Sequence, residues 1–289
     1  MHDSSASDER AGMKECGIRI SRERRLPLLM TASVDPRGML GANFSPAVRE
    51  KMYIDALGFY LDELAGDEYG KIVFVENSGW DLASIKGRLG CRANDRVEFM
   101  SLDPGGFDVR RGKGFNEFLL VSQAIRRSDA VQRAGAFLKV TGRYPVFNIK
   151  MFVRDAGDAL YRRGQLFYGD IKDHGLYEIM HLPWNGRIGS SVLFASTVDA
   201  WRSGIEPRMV KLDDRAGYWA EHLIYDYLME CRRSGLPVSC RFRRELQCGG
   251  LKGSNGKGIG FSKNNMSIKE RLNRFVGNAI RICMPWFWF

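Results

Sequence analysis

Four short apolar runs constrain this chain's fold more than any other feature. They occupy residues 26–34 (LPLLMTASV), 71–75 (KIVFV), 97–102 (VEFMSL) and 136–140 (AFLKV). Each is too short for a buried helix, and each breaks into small or polar residues, so each reads as a buried strand ending in a turn. Helical patterns separate them. Ser45 and Pro46 open the first, with Ser as N-cap and Pro at the first helical position. Its apolar positions Val48, Met52, Ala56, Phe59, Tyr60 and Leu64 recur at helical spacing. Short helices are expected over residues 81–89 and 116–127. Strands alternating with helices predict an α/β fold: a mixed, mostly parallel sheet flanked by helices.

In such sheets ligands bind beyond the carboxyl ends of the strands. Here those ends carry Thr31-Ala32-Ser33, Glu76-Asn77-Ser78, Ser101-Leu102-Asp103 and Thr141-Gly142-Arg143. A strand that ends in a hydroxyl, a glycine and an arginine suits one wall of a phosphate or sugar cleft, because guanidinium donors form a fixed fork. Glycine lets a ligand approach the backbone. Residues 111–148 hold the densest set of such features, beginning with a basic turn, Arg111-Gly112-Lys113-Gly114.

Each motif has a plainer reading beside the functional one. The basic turn is neither a Walker loop nor a dinucleotide fingerprint, since Glu117 stands where the third glycine belongs. Alone it reads as a solvated loop. Glu76-Asn77-Ser78 reads as a base or ribose contact or as an ordinary strand-to-helix turn. Asp213-Asp214 and the Asp170/Asp173 pair read as Mg²⁺ or Mn²⁺ ligands or as surface charge and helix caps. Glu221, between Trp219 and His222 on a helical stretch spanning residues 216–233, reads as a general base or as a solvated glutamate. His181 and His222 read as structural.

Charge narrows the partner. The net charge of +10 on 289 residues points to an anionic ligand or surface. The six cysteines lack metal or redox spacing and read as free thiols, which suggests a cytoplasmic protein. The N-terminal residues 1–25 have no apolar core of a secretory signal and read as a disordered lead-in. Beyond residue 150 the pattern is less regular, with strands expected at 165–168, 191–195 and 237–243. Residues 246–266 form a glycine-rich loop, either a lid or a linker. Residues 267–289 combine a basic amphipathic helix with a terminal WFWF. Its apolar stripe includes Phe275, Val276, Ala279, Ile280 and Cys283. Such a segment either lies on an anionic membrane, at the inner face of the cell membrane, or packs on the body of the protein.

Taken in order, these segments resemble a family. The carriers are LLMTASVDPRGM, a helix with Arg49, Tyr53, Ala56, Leu57, Phe59 and Tyr60, then KIVFVENSGWDL, RGKGFNEFLLVSQAI, FLKVTGRYPVFN and AGYWAEHLIYDYL. Over residues 26–230 the chain is similar to bacterial glycosyltransferase-like proteins of capsule, exopolysaccharide and lipopolysaccharide gene clusters. The resemblance implies a GT-A-like transferase domain over residues 26–245, a nucleotide-sugar donor, and a glycan or lipid-linked glycan acceptor. It implies that Thr31, Ala32, Ser33, Glu76, Asn77 and Ser78 face the nucleotide. Arg111, Lys113, Lys139 and Arg143, beside Thr141 and Gly142, would neutralise donor phosphate, and Glu221 would be the acceptor-side catalytic base. No Asp-x-Asp is present at the expected strand, so no metal cofactor is expected, and Mg²⁺ or Mn²⁺ is kept only as an alternative. The rival readings are a non-catalytic anion- or nucleic-acid-binding protein and a transferase fold without turnover. No nucleic-acid motif appears, so nucleic acid is not the expected partner.

Overall fold

The four apolar runs form parallel neighbours in the computed structural model of the chain: β1 (Leu28–Ala32), β2 (Ile72–Glu76), β3 (Val97–Ser101) and β4 (Ala136–Thr141). The structure describes residues 25–39, 42, 44–66, 69–174, 186–250 and 268–284. The expected lead-in up to residue 24, most of the glycine-rich loop, His181 and the terminal aromatics lie outside the described residues.

Later strands complete a mixed, mostly parallel sheet in the order β3-β2-β1-β4-β8-β5-β9. These are β5 (Phe167–Tyr168), β8 (Leu193–Thr197) and β9 (Val238–Ser239), and β8 alone runs antiparallel to its neighbours. β6 (Ile171–Asp173) and β7 (Arg187–Gly189) form a separate antiparallel pair that the sequence pattern did not disclose. The chain leaves β1 toward β2 and β3, then returns to place β4 on the other side of β1. The winding direction therefore reverses between β1 and β4.

The helices follow from that reversal. α1 (Pro46–Glu63) and α2 (Ala83–Leu89) cover one face of the sheet, and α3 (Gly112–Arg127) covers the other. Right-handed crossovers demand this change of face when the winding reverses. Period-two alternation in β1 then assigns the layers. Leu28 and Met30 face Tyr53, Leu57 and Tyr60 of α1, whereas Leu29 faces Phe118 and Val121 of α3. Ser45 caps α1, accepting from the Val48 N–H. α4 (Asp129–Ala134) ends at Gly135, whose φ of 67° turns the chain into β4. A further helix, α5 (Ile149–Gly157), packs on the α1 face; α6 (Ala220–Arg233) packs on the α3 face; α7 (Ile268–Cys283) comes last.

Several expected bounds moved, α3 beginning at Gly112 rather than 116 and α6 at Ala220 rather than 216. The buried face of α1 is Arg49, Tyr53, Ala56, Leu57, Tyr60 and Leu61, one step round from the predicted stripe, and Val48 is exposed. An arginine inside the buried face shifted the pattern. The strand expected over 237–243 is only Val238–Ser239, because Phe242 turns in to pack against Tyr168 and Phe152.

An aromatic cluster anchors the α3 face. Trp201 is fully buried and stacks on Phe194 at 5.7 Å, with Phe118 and Phe137 edge-on at 5.1 and 5.8 Å. Its indole N–H donates to Ser122 Oγ at 2.8 Å. Trp201→Ala should cost about 3–5 kcal/mol in urea unfolding, from lost burial plus the cavity left behind. A loss below about 1 kcal/mol would show that the cluster does not hold the layer together.

Candidate functional site

Beyond the carboxyl ends of β1 and β4, which stay paired up to Thr31 and Thr141, lies a cleft of about 540 Å³, counted out to its mouth. Its floor is set by strand register: Thr31 on β1 lies beside Thr141 on β4, and Leu29 beside Lys139. Glu117 of α3 closes the floor from above. Its Oε1 accepts from Thr31 Oγ1 at 2.8 Å and Thr141 Oγ1 at 3.1 Å, and sits 2.7 Å from Lys139 Nζ. The Glu117 side chain keeps 22% of its surface, so it is part of the cleft wall.

Lys139 is fully buried. Besides Glu117 it donates to Thr141 Oγ1 at 3.1 Å and to the Ser191 carbonyl at 2.5 Å. These contacts use the three protons of the ammonium. Burial pulls the Lys139 pKa down, and Glu117 only partly restores it. For Glu117, burial alone would raise the pKa, but the Lys139 charge and the two threonine hydroxyls hold it below the usual carboxylate range. Lys139 thus has no donor left for a ligand phosphate. The expectation that it faces the donor is corrected: it positions Glu117 and both threonines.

Three other cations line the cleft, namely Arg49, Lys113 and Arg143. Arg49 is 4% exposed. Its Nε donates to the Ser33 carbonyl at 2.7 Å and its Nη2 to Tyr53 Oη at 3.3 Å, while Nη1 has no partner among the described residues. Arg143 stacks on the Tyr144 ring and donates Nη2 to Tyr144 Oη at 3.0 Å, and its Nε is likewise unpartnered among the described residues. Lys113 stands in the first turn of α3. Burial lowers its pKa first, and the nearby Arg143 and Arg49 charges add to this against Asp214 and Glu221. Buried donors without acceptors are costly, and like charges beside Lys113 disfavour its charged form. Both strains are relieved by an anion.

The remaining predicted residues divide. Thr31, Ala32, Ser33, Asn77 and Thr141 line the cleft, with Ser33 Oγ donating to Asn77 Oδ1 at 2.5 Å. Glu76 does not line it. That carboxylate is fully buried and accepts from the Val34, Ser78 and Trp80 N–H groups and from Ser78 Oγ, so it and Ser78 fix the turn after β2. Gly142 is needed for chain packing: a Cβ there would lie 2.6 Å from the Thr31 carbonyl oxygen.

Arg111 lies outside the cleft. Its guanidinium covers the Phe115 ring and donates to the carbonyls of Met209, Val210 and Leu212 at the end of a short helix, Glu206–Lys211. The expected basic turn is itself the start of α3. The Lys113 N–H donates to Asp214 Oδ2 at 2.7 Å, a cap supplied from far along the chain. Gly112 has a φ of 85°, and a Cβ there would meet Asp214 at 2.4 Å. These glycines admit the Asp214 segment, so they do not cradle a phosphate. Asp214 is thereby a cap, and Asp170 is held by Arg281. No group of three or more His, Cys, Asp or Glu side chains able to hold a metal ion occurs among the described residues.

Glu221 stands in the first turn of α6, where Ser191 Oγ donates to its Oε1 at 2.6 Å. Its charge acts on both Lys113 and Lys139. The Ser191 carbonyl and hydroxyl therefore tie the Lys139 and Glu221 sides of the site together. Sequence reasoning missed Arg49, Tyr53, Asn116 and Glu117 as site residues. The i, i+4 spacing of Arg49 and Tyr53 was visible, but nothing local shows that their side chains reach back to Ser33.

No protein-family model and no curated protein matches the sequence. Among solved structures, the chain is similar to the galactosyltransferase LgtC in complex with donor and acceptor sugar analogues, at 10% identity and a TM-score of 0.44, over 76% of this chain and 74% of that one. It is similar to core-mannan synthase A of Aspergillus fumigatus, also at 10% identity and 0.44, over 88% and 84%. The bifunctional glycosyltransferase WbbM gives 10% and 0.45, over 88% of this chain and 44% of that one. A likeness this distant assigns no chemistry to the chain.

Lys139→Met should destabilise the protein by about 3–5 kcal/mol by stranding the Glu117 charge, and Glu117→Gln added to it should recover part of that loss. Glu117's folded pKa is depressed, so its stabilising contribution is present above its unfolded pKa and disappears as pH falls through the folded value. Acid unfolding of the native protein should therefore steepen below the ordinary carboxylate range, and Glu117→Gln should flatten that limb. Identical acid limbs would remove the ion pair from the account. In the same measurements Gly112→Ala should lower the unfolding temperature, whereas Lys113→Met should leave it nearly unchanged.

Proposed function

We propose that the protein is a glycosyltransferase that binds a nucleotide-sugar donor in the cleft between β1 and β4. The observation that carries this reading is the convergence of Arg49, Lys113 and Arg143, two of them with unpartnered guanidinium nitrogens, at the sheet's reversal point. A phosphate group supplies the acceptors those donors lack. Ser33, Asn77 and Thr31 at the strand ends offer polar contacts to the nucleoside or donor sugar. The fold, a mixed and mostly parallel sheet flanked by helices, suits a nucleotide at this point.

Chemically, the acceptor hydroxyl oxygen forms a bond to the anomeric carbon while the bond from that carbon to the phosphate oxygen breaks. The electron pair leaves with the phosphate, and the three cations stabilise it. Glu221 takes the acceptor proton. Glu117, fixed by Lys139 and two hydroxyls, presents its open surface to a donor-sugar hydroxyl. The acceptor is a surface glycan of the capsule, exopolysaccharide or lipopolysaccharide type, borne on a lipid, and the protein works at the inner face of the cell membrane. No helix among the described residues is long and apolar enough to cross a membrane.

A thermal-shift and calorimetry panel of nucleotide diphosphates and nucleotide sugars, with and without EDTA, tests the donor assignment. One nucleotide should stabilise the protein with or without EDTA, and Arg49→Met or Arg143→Met should weaken it roughly 10–100-fold. Glu221→Gln should keep donor binding and lose about 10²–10⁴-fold in sugar transfer. A panel in which no nucleotide binds would sink the reading.

A further inference from the structure

A second basic cavity lies away from the cleft, where α5, the end of β5, the segment after β9 and α7 meet. Arg154, Arg163, Arg241, Arg243, Arg244 and Arg281 line it, and it measures about 1200 Å³ out to its mouth. Arg163 pairs with Asp158 and Arg281 with Asp170, and Asp155 stands in the wall. Six arginines thus face three carboxylates, and the cavity is positive. Tyr168 is in its lining and only 2% exposed, and the hydroxyl has no hydrogen-bond partner among the described residues. Burial pushes its pKa well up, so it stays protonated as a donor. A buried hydroxyl left unpaired is costly, and an anionic oxygen entering the cavity would satisfy it.

Over residues 275–284 the neighbouring helix and the residue after it turn Asn278 and Arg281 toward the body of the protein. Asn278 Oδ1 of α7 accepts from the Glu245 N–H at 2.9 Å, and Arg281 reaches both oxygens of Asp170 at 3.0 and 3.1 Å. Phe275 is 73% exposed and Ile282 61%, with Val276 and Met284 also exposed. Ile282 borders the cavity. Large apolar side chains held outward beside a positive cavity match the two requirements of an anionic bilayer: apolar burial and phosphate neutralisation.

We propose that this face seats the protein on an anionic membrane, with a lipid phosphate held in the arginine cavity by its guanidinium groups and the Tyr168 hydroxyl while Phe275, Val276, Ile282 and Met284 enter the acyl boundary. It shares no residue with the cleft and holds whether or not the cleft binds nucleotides.

The test is sedimentation of the full-length protein with phosphatidylcholine vesicles, with and without phosphatidylglycerol, alongside calorimetry with soluble glycerol phosphate. The protein should pellet only with phosphatidylglycerol. Arg243→Ala/Arg244→Ala should lower partition roughly 30-fold with unchanged thermal unfolding. Tyr168→Phe, which keeps every charge, should weaken it about 10-fold. Phe275→Ser should weaken vesicle binding and leave glycerol phosphate binding intact. Failure to pellet with phosphatidylglycerol, or an arginine variant that pellets like the parent, overturns the proposal. Glycerol phosphate binding without vesicle binding replaces the lipid by a free phosphate. Unchanged partition of Tyr168→Phe reduces the effect to general charge attraction and removes the cavity from it. A dimer that Phe275→Ser dissolves assigns the stripe to a second copy. Nucleotide binding, followed in parallel, reports separately on the cleft.

Discussion

The ion pair between Glu117 and Lys139 is the interaction on which the rest of the site depends. It joins α3 to β4 across the floor of the cleft, and through Thr31 it joins both to β1. Two charges taken out of water cost several kcal/mol each unless their remaining donors and acceptors are met. Here they are met: the ammonium has three acceptors and Oε1 collects three donors. Such an arrangement tolerates little displacement, so it fixes α3 against the paired ends of β1 and β4. The pair is better regarded as a device for geometry than as a source of stability.

Around that fixed floor the charges fall into two classes. Glu76, Arg111, Asp214 and Lys139 are engaged with backbone groups, and they shape the turns and helix ends that bound the cleft. Arg49, Lys113 and Arg143 are directed into the cleft, and the two arginines keep unmet donors there. Burial crowds three positive groups there, and Asp214 and Glu221 offset the effect on Lys113 only in part. The same physical logic recurs in the arginine cavity beside α7, where an unmet buried hydroxyl and several guanidinium groups share one hollow. Among the described residues, both hollows thus gather basic side chains beside unmet donors.

Much of the frame was legible from local pattern. Short apolar runs bounded by turn residues locate β1 to β4, and Ser45-Pro46 marks the start of α1. These depend on residues close in sequence, so the sequence displays them. The polar character of the strand ends was readable for the same reason, and Thr31, Ser33, Asn77, Thr141 and Arg143 do meet in one cleft. α5 and the β6–β7 pair were not legible, because they are supported by packing against distant segments.

What the sequence determined by itself was the alternation of β1 to β4 with helices, the positive balance and the polar ends of those strands. Which charged residue does what was decided only by tertiary contact. Arg111 and Lys113 are two residues apart, yet one caps a distant turn and the other enters the cleft, because Met209 to Asp214 fold against the start of α3. Arg49 looks like the solvated side of a helix until Ser33 is brought to it. Lys139 reads as a ligand for phosphate until Glu117, Thr141 and Ser191 take its protons. A side chain's role follows from which donors and acceptors remain unmet after folding, and that remainder is a property of contacts between segments far apart in the chain.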